Sequence, residues 1–331
     1  LPTAEGNYYL TKNVTVTGQS TISAEGADVV LDLNGKTVTA SGNTRNYVLT
    51  GANASLSITD SVGTGKIIRS SSDSGLPFAS TIWNNNATGT VNLYGGVIDG
   101  NKVSSTANAM IITNGAFNIY GGTIRNGRGG NFGGNIYVEN GKLDIYGGCV
   151  EDGYTSHRGG NISVNAGAVL NIHGGRIIGG DSGNWGGNIY ALGATVNMTG
   201  GEVGEPVIGA TANAHENISL HKTILNMSAG YISGYVDMVE TSTANLSGSA
   251  KIYGGSTNLQ AKPEATIKVV GALNKDAKIG LSGSNGAVAV QSSDTYTLQA
   301  SDAVYFTPDL ATQQLELRDG SFYLKYTPEG C

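Results

Sequence analysis

Charge is scarce in this chain. Asp, Glu, Lys and Arg make up 13% of its 331 residues, about half the usual share. The balance is slightly acidic, at −6, and leaves no basic face of the kind nucleic acid requires. Cysteine is nearly absent. Cys149 and Cys331 cannot build a disulfide framework, and neither stands in a metal-ligand spacing. No cluster such as Asp-x-Asp offers calcium its converging oxygens, so neither a metal nor another cofactor is expected. No apolar run reaches the roughly 18 residues of a membrane span. The chain opens on Leu1 rather than Met, as expected of a mature or excised segment, with any signal peptide elsewhere.

Glycine, by contrast, is abundant: 51 residues, about twice the usual share. It is periodic. Thr90-Val-Asn-Leu-Tyr-Gly-Gly-Val-Ile98 returns as Ala116-Phe-Asn-Ile-Tyr-Gly-Gly-Thr-Ile124 and Lys142-Leu-Asp-Ile-Tyr-Gly-Gly-Cys-Val150. Val169-Leu-Asn-Ile-His-Gly-Gly-Arg-Ile177 and Thr195-Val-Asn-Met-Thr-Gly-Gly-Glu-Val203 continue the series. The first glycines of the pairs, Gly95, Gly121, Gly147, Gly174 and Gly200, are spaced by 26, 26, 27 and 26 residues. A second word, Gly-Asn-Ile, keeps the same step at Gly134, Gly160 and Gly187.

A fixed period of this length specifies a repeat architecture. Within each unit the residues alternate. Val91, Phe117, Leu143, Leu170, Val196 and Leu225 form one apolar column; Leu93, Ile119, Ile145, Ile172, Met198 and Met227 form another. Between them runs a polar column from Asn92 to Asn226, with Asp144 inside it. Strict alternation marks strands with one buried face, and columns that hold register mark units stacked on one another. The expected fold is therefore all-β: a right-handed parallel β-helix, a solenoid of about 26 residues per coil, right-handed as parallel crossovers usually are. Residues 1–263 are assigned to it, including an N-terminal cap over about the first 25 residues. Residues 264–331 lack the Gly-Gly word and are expected to form a C-terminal β cap or small β module. It includes a hairpin at 314–326, with Asp319-Gly320 in its turn. Extra length at 70–77 predicts a projecting loop.

Several further words resemble a known group. They are Tyr8-Tyr-Leu-Thr11, Val30-Leu-Asp-Leu-Asn-Gly-Lys-Thr-Val38, Leu56-Ser-Ile-Thr-Asp60, Gly133-Gly-Asn-Ile-Tyr-Val138 and Ile267-Lys-Val-Val-Gly-Ala-Leu273. With the Asn-x-Tyr-Gly-Gly series, nearly the whole chain resembles the pectate-lyase-like β-helix superfamily. More narrowly, it is similar to β-helix modules of large secreted or cell-wall-anchored surface proteins of Gram-positive gut and rumen bacteria. The resemblance implies flanking domains of a larger surface protein, a secreted or cell-surface location and an adhesin-like or structural role. Enzymes of the superfamily carry a calcium-binding carboxylate cluster with an Arg or Lys base, or paired Asp residues with a Gly-His-Gly segment. Here only His173-Gly-Gly175 echoes either pattern, and no catalytic set can be assembled.

Four columns are candidates for contacts. Tyr94, Tyr120, Tyr146 and His173 should stack outward, as a platform for sugar rings or as sheet-stabilising pairs. Phe132, Arg158 and Trp185 are in register in the segments 126–134, 152–160 and 179–187, near Arg128, Tyr154, His157 and Asp181. This is the richest local mix of ring, charge and amide, and loops on a rigid scaffold are where ligand sites concentrate. Asp99, Arg125 and Glu151, with Arg176 and Glu202 beside them, predict a ladder of opposite charges rather than acid–base machinery. Asn135, Asn161, Asn188 and Asn217 predict a stacked amide ladder, as in cross-β structure. The Asn-x-Ser/Thr triplets at Asn161, Asn197, Asn217, Asn226 and Asn245 are by-products of the amide columns rather than glycosylation sites. Three functions remain open. One is a non-catalytic extracellular module, rigid and adhesin-like, that binds a host or plant carbohydrate. The second is a polysaccharide lyase or glycoside hydrolase acting in the loop region, and the third a purely structural or self-assembling element.

Overall fold

The structure is a computed structural model that describes residues 1–73, 80–103, 110–204, 216–284 and 286–327. The chain winds into a parallel β-solenoid of about 11 turns, each of about 26 residues. At the strand spacing of about 4.8 Å per coil, the stack is about 50 Å long. Almost no helix interrupts it; among the described residues only two short 3-10 turns occur, Ser71–Asp73 and Ala300–Tyr305.

Each coil lays down three strands. In the regular region the first face holds Thr90–Leu93, Ala116–Ile119, Lys142–Ile145 and Val169–Ile172. The second holds Val97–Asp99, Thr123–Arg125, Cys149–Glu151 and Arg176–Ile178. The third holds Ile111–Thr113, Ile136–Val138, Ile162–Val164 and Ile189–Leu192. The register is the one the columns predict: Val91 lies on Phe117, Leu143, Leu170 and Val196 in turn. These side chains are essentially inaccessible to solvent. They belong to one continuous apolar core from Ile22 to Leu324. Burying each such residue is worth about 1.5–3 kcal/mol, and no coil can do so without its neighbours.

Two expectations change at the ends. The N-terminal stretch expected to be a cap is itself the first coil: Gly6–Tyr9, Val14–Val16 and Ser20–Ile22 each pair in parallel with the coil above. The Tyr47 hydroxyl ties the start of the chain down by donating to the Pro2 carbonyl at 2.6 Å. At the other end the stacking passes residue 264 unbroken, because Thr266–Leu273 pairs in parallel with Thr243–Gly248, and Lys278–Ser282 with Lys251–Tyr253. The Gly-Gly word stops before the solenoid does, since a coil needs its inward residues and not that corner. The antiparallel closure comes later. Ser321–Tyr326 pairs with both Val288–Gln291 and Gln313–Arg318. In the hairpin turn, Asp319 and Gly320 both have positive φ, 49° and 70°, as a type I′ turn requires.

Of the expected 70–77 loop, Ser71–Asp73 turns inward. Buried Asp73 pairs with buried Arg69 at 3.0 Å and accepts from the Gly42 amide. Residues 74–79 lie outside the described residues, as does Cys331.

Candidate functional site

The loops that leave the second face and enter the third carry the richest chemistry. Their first residues form a second, three-stranded parallel sheet: Arg128–Gly129, Tyr154–Thr155 and Asp181–Ser182. They then fold back over the outside of the third face. Buried amides hold them there. Asn135, Asn161 and Asn188 have no accessible surface. Each donates to the next coil's amide oxygen, at 2.7, 2.6 and 2.7 Å, the last to Asn217. Each also accepts from the loop backbone eight residues earlier, at Gly127, Gly153 and Gly180, at 2.8–2.9 Å. Their remaining N–H bonds go to the carbonyls of Glu151, Ile178 and Gly204. Every polar atom of Asn161 is thus satisfied, as burial requires.

On this frame Phe132, Arg158 and Trp185 stand in register, joined by isolated parallel bridges. Beneath them on the third face lie Tyr137, Ser163 and Tyr190, also in register. Phe132 stacks on Tyr137 with ring centroids 4.9 Å apart, and Trp185 lies 6.1 Å from Tyr190. Arg158 fills the middle. Its guanidinium carbon is 4.9 Å from the Trp185 ring, 5.2 Å from Tyr190 and 5.8 Å from Phe132. The small Ser163 beneath it leaves room for that cation–π arrangement. His221 extends the cluster, 5.5 Å from Trp185 and 5.1 Å from Tyr190. Burial lowers the His221 pKa and raises that of Tyr190, so both favour their neutral forms; Arg158 opposes the shift at Tyr190. Burial, aided by Glu139, pushes the Tyr137 hydroxyl up to about 12.

Arg128, Tyr154 and Asp181 form the adjoining column, cation over ring beside anion, with Arg128 5.1 Å from the Tyr154 ring. Burial raises the Asp181 carboxyl above the usual range, and Arg128 works against that shift. His157 sits on the same loop with its Nδ1 turned to the Gly130 carbonyl at 3.2 Å. The structure therefore brings Phe132, Arg158, Trp185, Arg128, Tyr154, His157 and Asp181 into one strip. Asp152 and Asp181 are not in register: Glu151 lies opposite Ile178 and Tyr154 opposite Asp181, which puts Asp152 two residues away from Asp181's partner.

The tyrosine column is elsewhere, at the corner after the first face. Tyr94, Tyr120 and Tyr146 stack at 4.8 and 5.0 Å with nearly parallel planes, and His173 continues the stack at 4.8 Å. His173 Nδ1 meets the Thr199 hydroxyl at 2.9 Å. The faces of Tyr120 and Tyr146 are covered by their neighbours. What these two rings offer to solvent is their edges and hydroxyls.

The remaining columns are structural in their contacts. Outside the first face the amides donate back along the stack, Asn118 to Asn92 at 2.9 Å, and Asn197 to Asn171, Asn226 to Asn197 and Asn245 to Asn226 at 2.8 Å. This polarity opposes that of the buried ladder. Asp144 interrupts the run, accepting from Asn171 and pairing with Lys142 at 2.8 Å. The charge ladder closes at Asp99–Arg125, 2.9 Å, and Arg176–Glu202, 3.2 Å. Glu151 instead accepts from the Cys149 thiol at 3.3 Å. Burial, with that bond and the Glu151 charge, pushes the thiol up to about 12. In a Cys331→Ser variant, a disulfide reagent at pH 8 should modify Cys149 at least about tenfold more slowly than a free thiol near 8.5; labelling at the free-thiol rate would contradict that environment.

Reading the loops alone misses the inner layer of rings, Tyr137 and Tyr190, and Trp83 in the same outward column. The signal was the Gly-Asn-Ile-Tyr word itself, whose Tyr follows the buried Asn by two residues and so faces outward under the loop. No protein-family model, curated protein or solved structure gave a significant match to the chain.

Proposed function

We propose that the chain is a non-catalytic extracellular module of a larger secreted or cell-wall-anchored surface protein, and that it binds glycan along the strip of loops over the third face. The observation that carries this reading is the column Phe132, Arg158 and Trp185, seated on Tyr137 and Tyr190 and pinned by the buried amide ladder. Rings with apolar faces and polar edges suit the alternating faces of a sugar. Arg128, Tyr154 and Asp181 beside them supply donors and acceptors. A frame that is rigid before binding loses little entropy on binding. The coil spacing of about 4.8 Å repeats the same chemistry along the axis, which suits a linear polymer better than a compact ligand.

An array of neutral and acidic glycans, probed with the intact protein and with Trp185→Ala and Tyr120→Ala variants, tests this. Binding should fall at least about tenfold with Trp185→Ala, the loss of about 1.4 kcal/mol, and persist with Tyr120→Ala. Binding indifferent to Trp185, or none to any glycan, would overturn it. A purely structural role is the second reading. It is favoured by the way the tyrosines cover one another's faces, and a flat array would leave it standing.

A further inference from the structure

A separate cavity opens where the last coils meet the antiparallel closure. It has a volume of about 280 Å³, and Tyr235, Thr257, Gln260, Ser282, Asp309 and Gln313 are among the residues lining it. At about 30 Å³ per water it has room for about nine, the size of one pyranose ring. Its lining is polar and ordered by its own bonds. Asp309 accepts from the Asn258 backbone amide at 2.8 Å, from the Asn258 side chain and from the Ser282 hydroxyl. All three donors are neutral, and among the described residues no Lys or Arg forms an ion pair with Asp309. A carboxylate held by neutral groups keeps acceptor capacity to spare. Gln313 is 93% buried, from an exposure of 7%. It donates to the Gly283 carbonyl at 3.1 Å, and its amide oxygen has no partner among the described residues. The Tyr235 hydroxyl lies 2.6 Å from Gln260 Oε1 and 2.8 Å from Asp237 Oδ1, which fixes its half-buried ring in the wall. Burial, with Asp237 beside it, pushes that hydroxyl well above its ordinary range, so it stays a donor.

We infer that this cavity binds one neutral pyranose, free or at the end of a chain, with Asp309 accepting from its hydroxyls, Gln313 packed in the wall and Tyr235 flanking the ring. A neutral polyol fits because the cavity offers carboxylate, amide and hydroxyl groups. One carboxylate alone makes a poor cation site, which wants several oxygen ligands with more charge. An acidic sugar would meet Asp309 with no cation to offset it. The inference stands apart from the loop strip, whose residues do not line this cavity.

Ligand-observed NMR of the intact protein with methyl glycosides of glucose, galactose and mannose tests it, with a reducing-end-blocked disaccharide to separate free sugar from chain end. At least one glycoside should give saturation transfer at millimolar concentration. Ser256→Trp, which plugs the exposed rim without removing any bond described above, should abolish the signal that Trp185→Ala leaves, as should Asp309→Asn if it folds. Trp185→Ala disables the strip alone, so the signal that it leaves is the cavity's, and failure of the strip and failure of the cavity are distinguishable. No transfer from any glycoside in Trp185→Ala, transfer there unchanged by Ser256→Trp, or spectral changes with calcium alone and none with sugar would overturn the inference.

Discussion

Asn161→Leu should open the middle of the solenoid locally. The side chain is wholly buried and is bonded to Asn135, Gly153, Ile178 and Asn188. Leucine fits the volume but strands two donors, the Gly153 amide N–H and one side-chain N–H of Asn135, while Asn188 Oδ1 keeps the Gly180 N–H and the Ile178 carbonyl keeps the Asp152 N–H. A buried polar group stranded in this way costs about 1–3 kcal/mol, and neighbouring losses do not add fully. An expected cost of about 4 kcal/mol corresponds to roughly a thousandfold faster exchange of the amides whose protection depends on this coil. Amide exchange is the right readout, because a stack of coils need not unfold as one unit. Asn197→Ala in the outer, half-buried ladder should cost about 1 kcal/mol, since water can replace its partners. Equal effects at the two positions would contradict the assignment of the inner ladder as the frame of the loops.

Gly160→Ala should detach the loop from the face it covers. At this position the entry to the third face of one coil and the loop of the next approach so closely that no side chain fits between them. A Cβ would stand 2.5 Å from the Asp181 carbonyl oxygen, and nearer still to the Asp181 amide and the Gly187 carbonyl. All three are backbone atoms, and Asp181 is held in its pairing with Tyr154, so relief requires the 181–187 loop to move. The expected cost is about 3 kcal/mol or more, the upper end for overpacking. Loss of near-ultraviolet signal from Trp185 and loss of glycan binding should come before loss of strand content. Gly167→Ala is the matched control for space: nothing lies within 4 Å of its Cβ. Its φ of 79° still makes alanine strained there, at a cost of about 1 kcal/mol. A Gly160→Ala protein as stable as the Gly167→Ala protein would contradict the close approach.

The two substitutions also show what the sequence discloses. The period, the inward columns and the amide ladders were legible because stacking makes equivalent residues touch, so every column is a list of contacts. The Gly-Gly-Asn word could be seen as a repeat but not as a clamp. The bond from Asn161 to the Gly153 amide joins residues whose nearness depends on the loop folding back. For the same reason the second layer of rings escaped notice: Tyr137 and Tyr190 lie under Phe132 and Trp185 through a loop path that no periodicity encodes. The tyrosine column was legible as a stack. Its consequence, that neighbouring rings hide one another's faces, follows only from centroid distances near 5 Å and nearly parallel planes. After residue 230 the corner words disappear while parallel pairing persists. There the inward alternation, as in Ile267 and Val269, was the surviving signal.

The central claim is that the strip over the third face holds glycan without transforming it. The direct measurement is a titration of the intact protein with the best array ligand, in parallel with product analysis of the same mixture after prolonged incubation. The account predicts saturable binding that Trp185→Ala weakens, with the glycan recovered unchanged and neither new reducing ends nor unsaturated products. Steady accumulation of either product, abolished by substitution of Arg158 or Asp181, would contradict it and make the strip an active site.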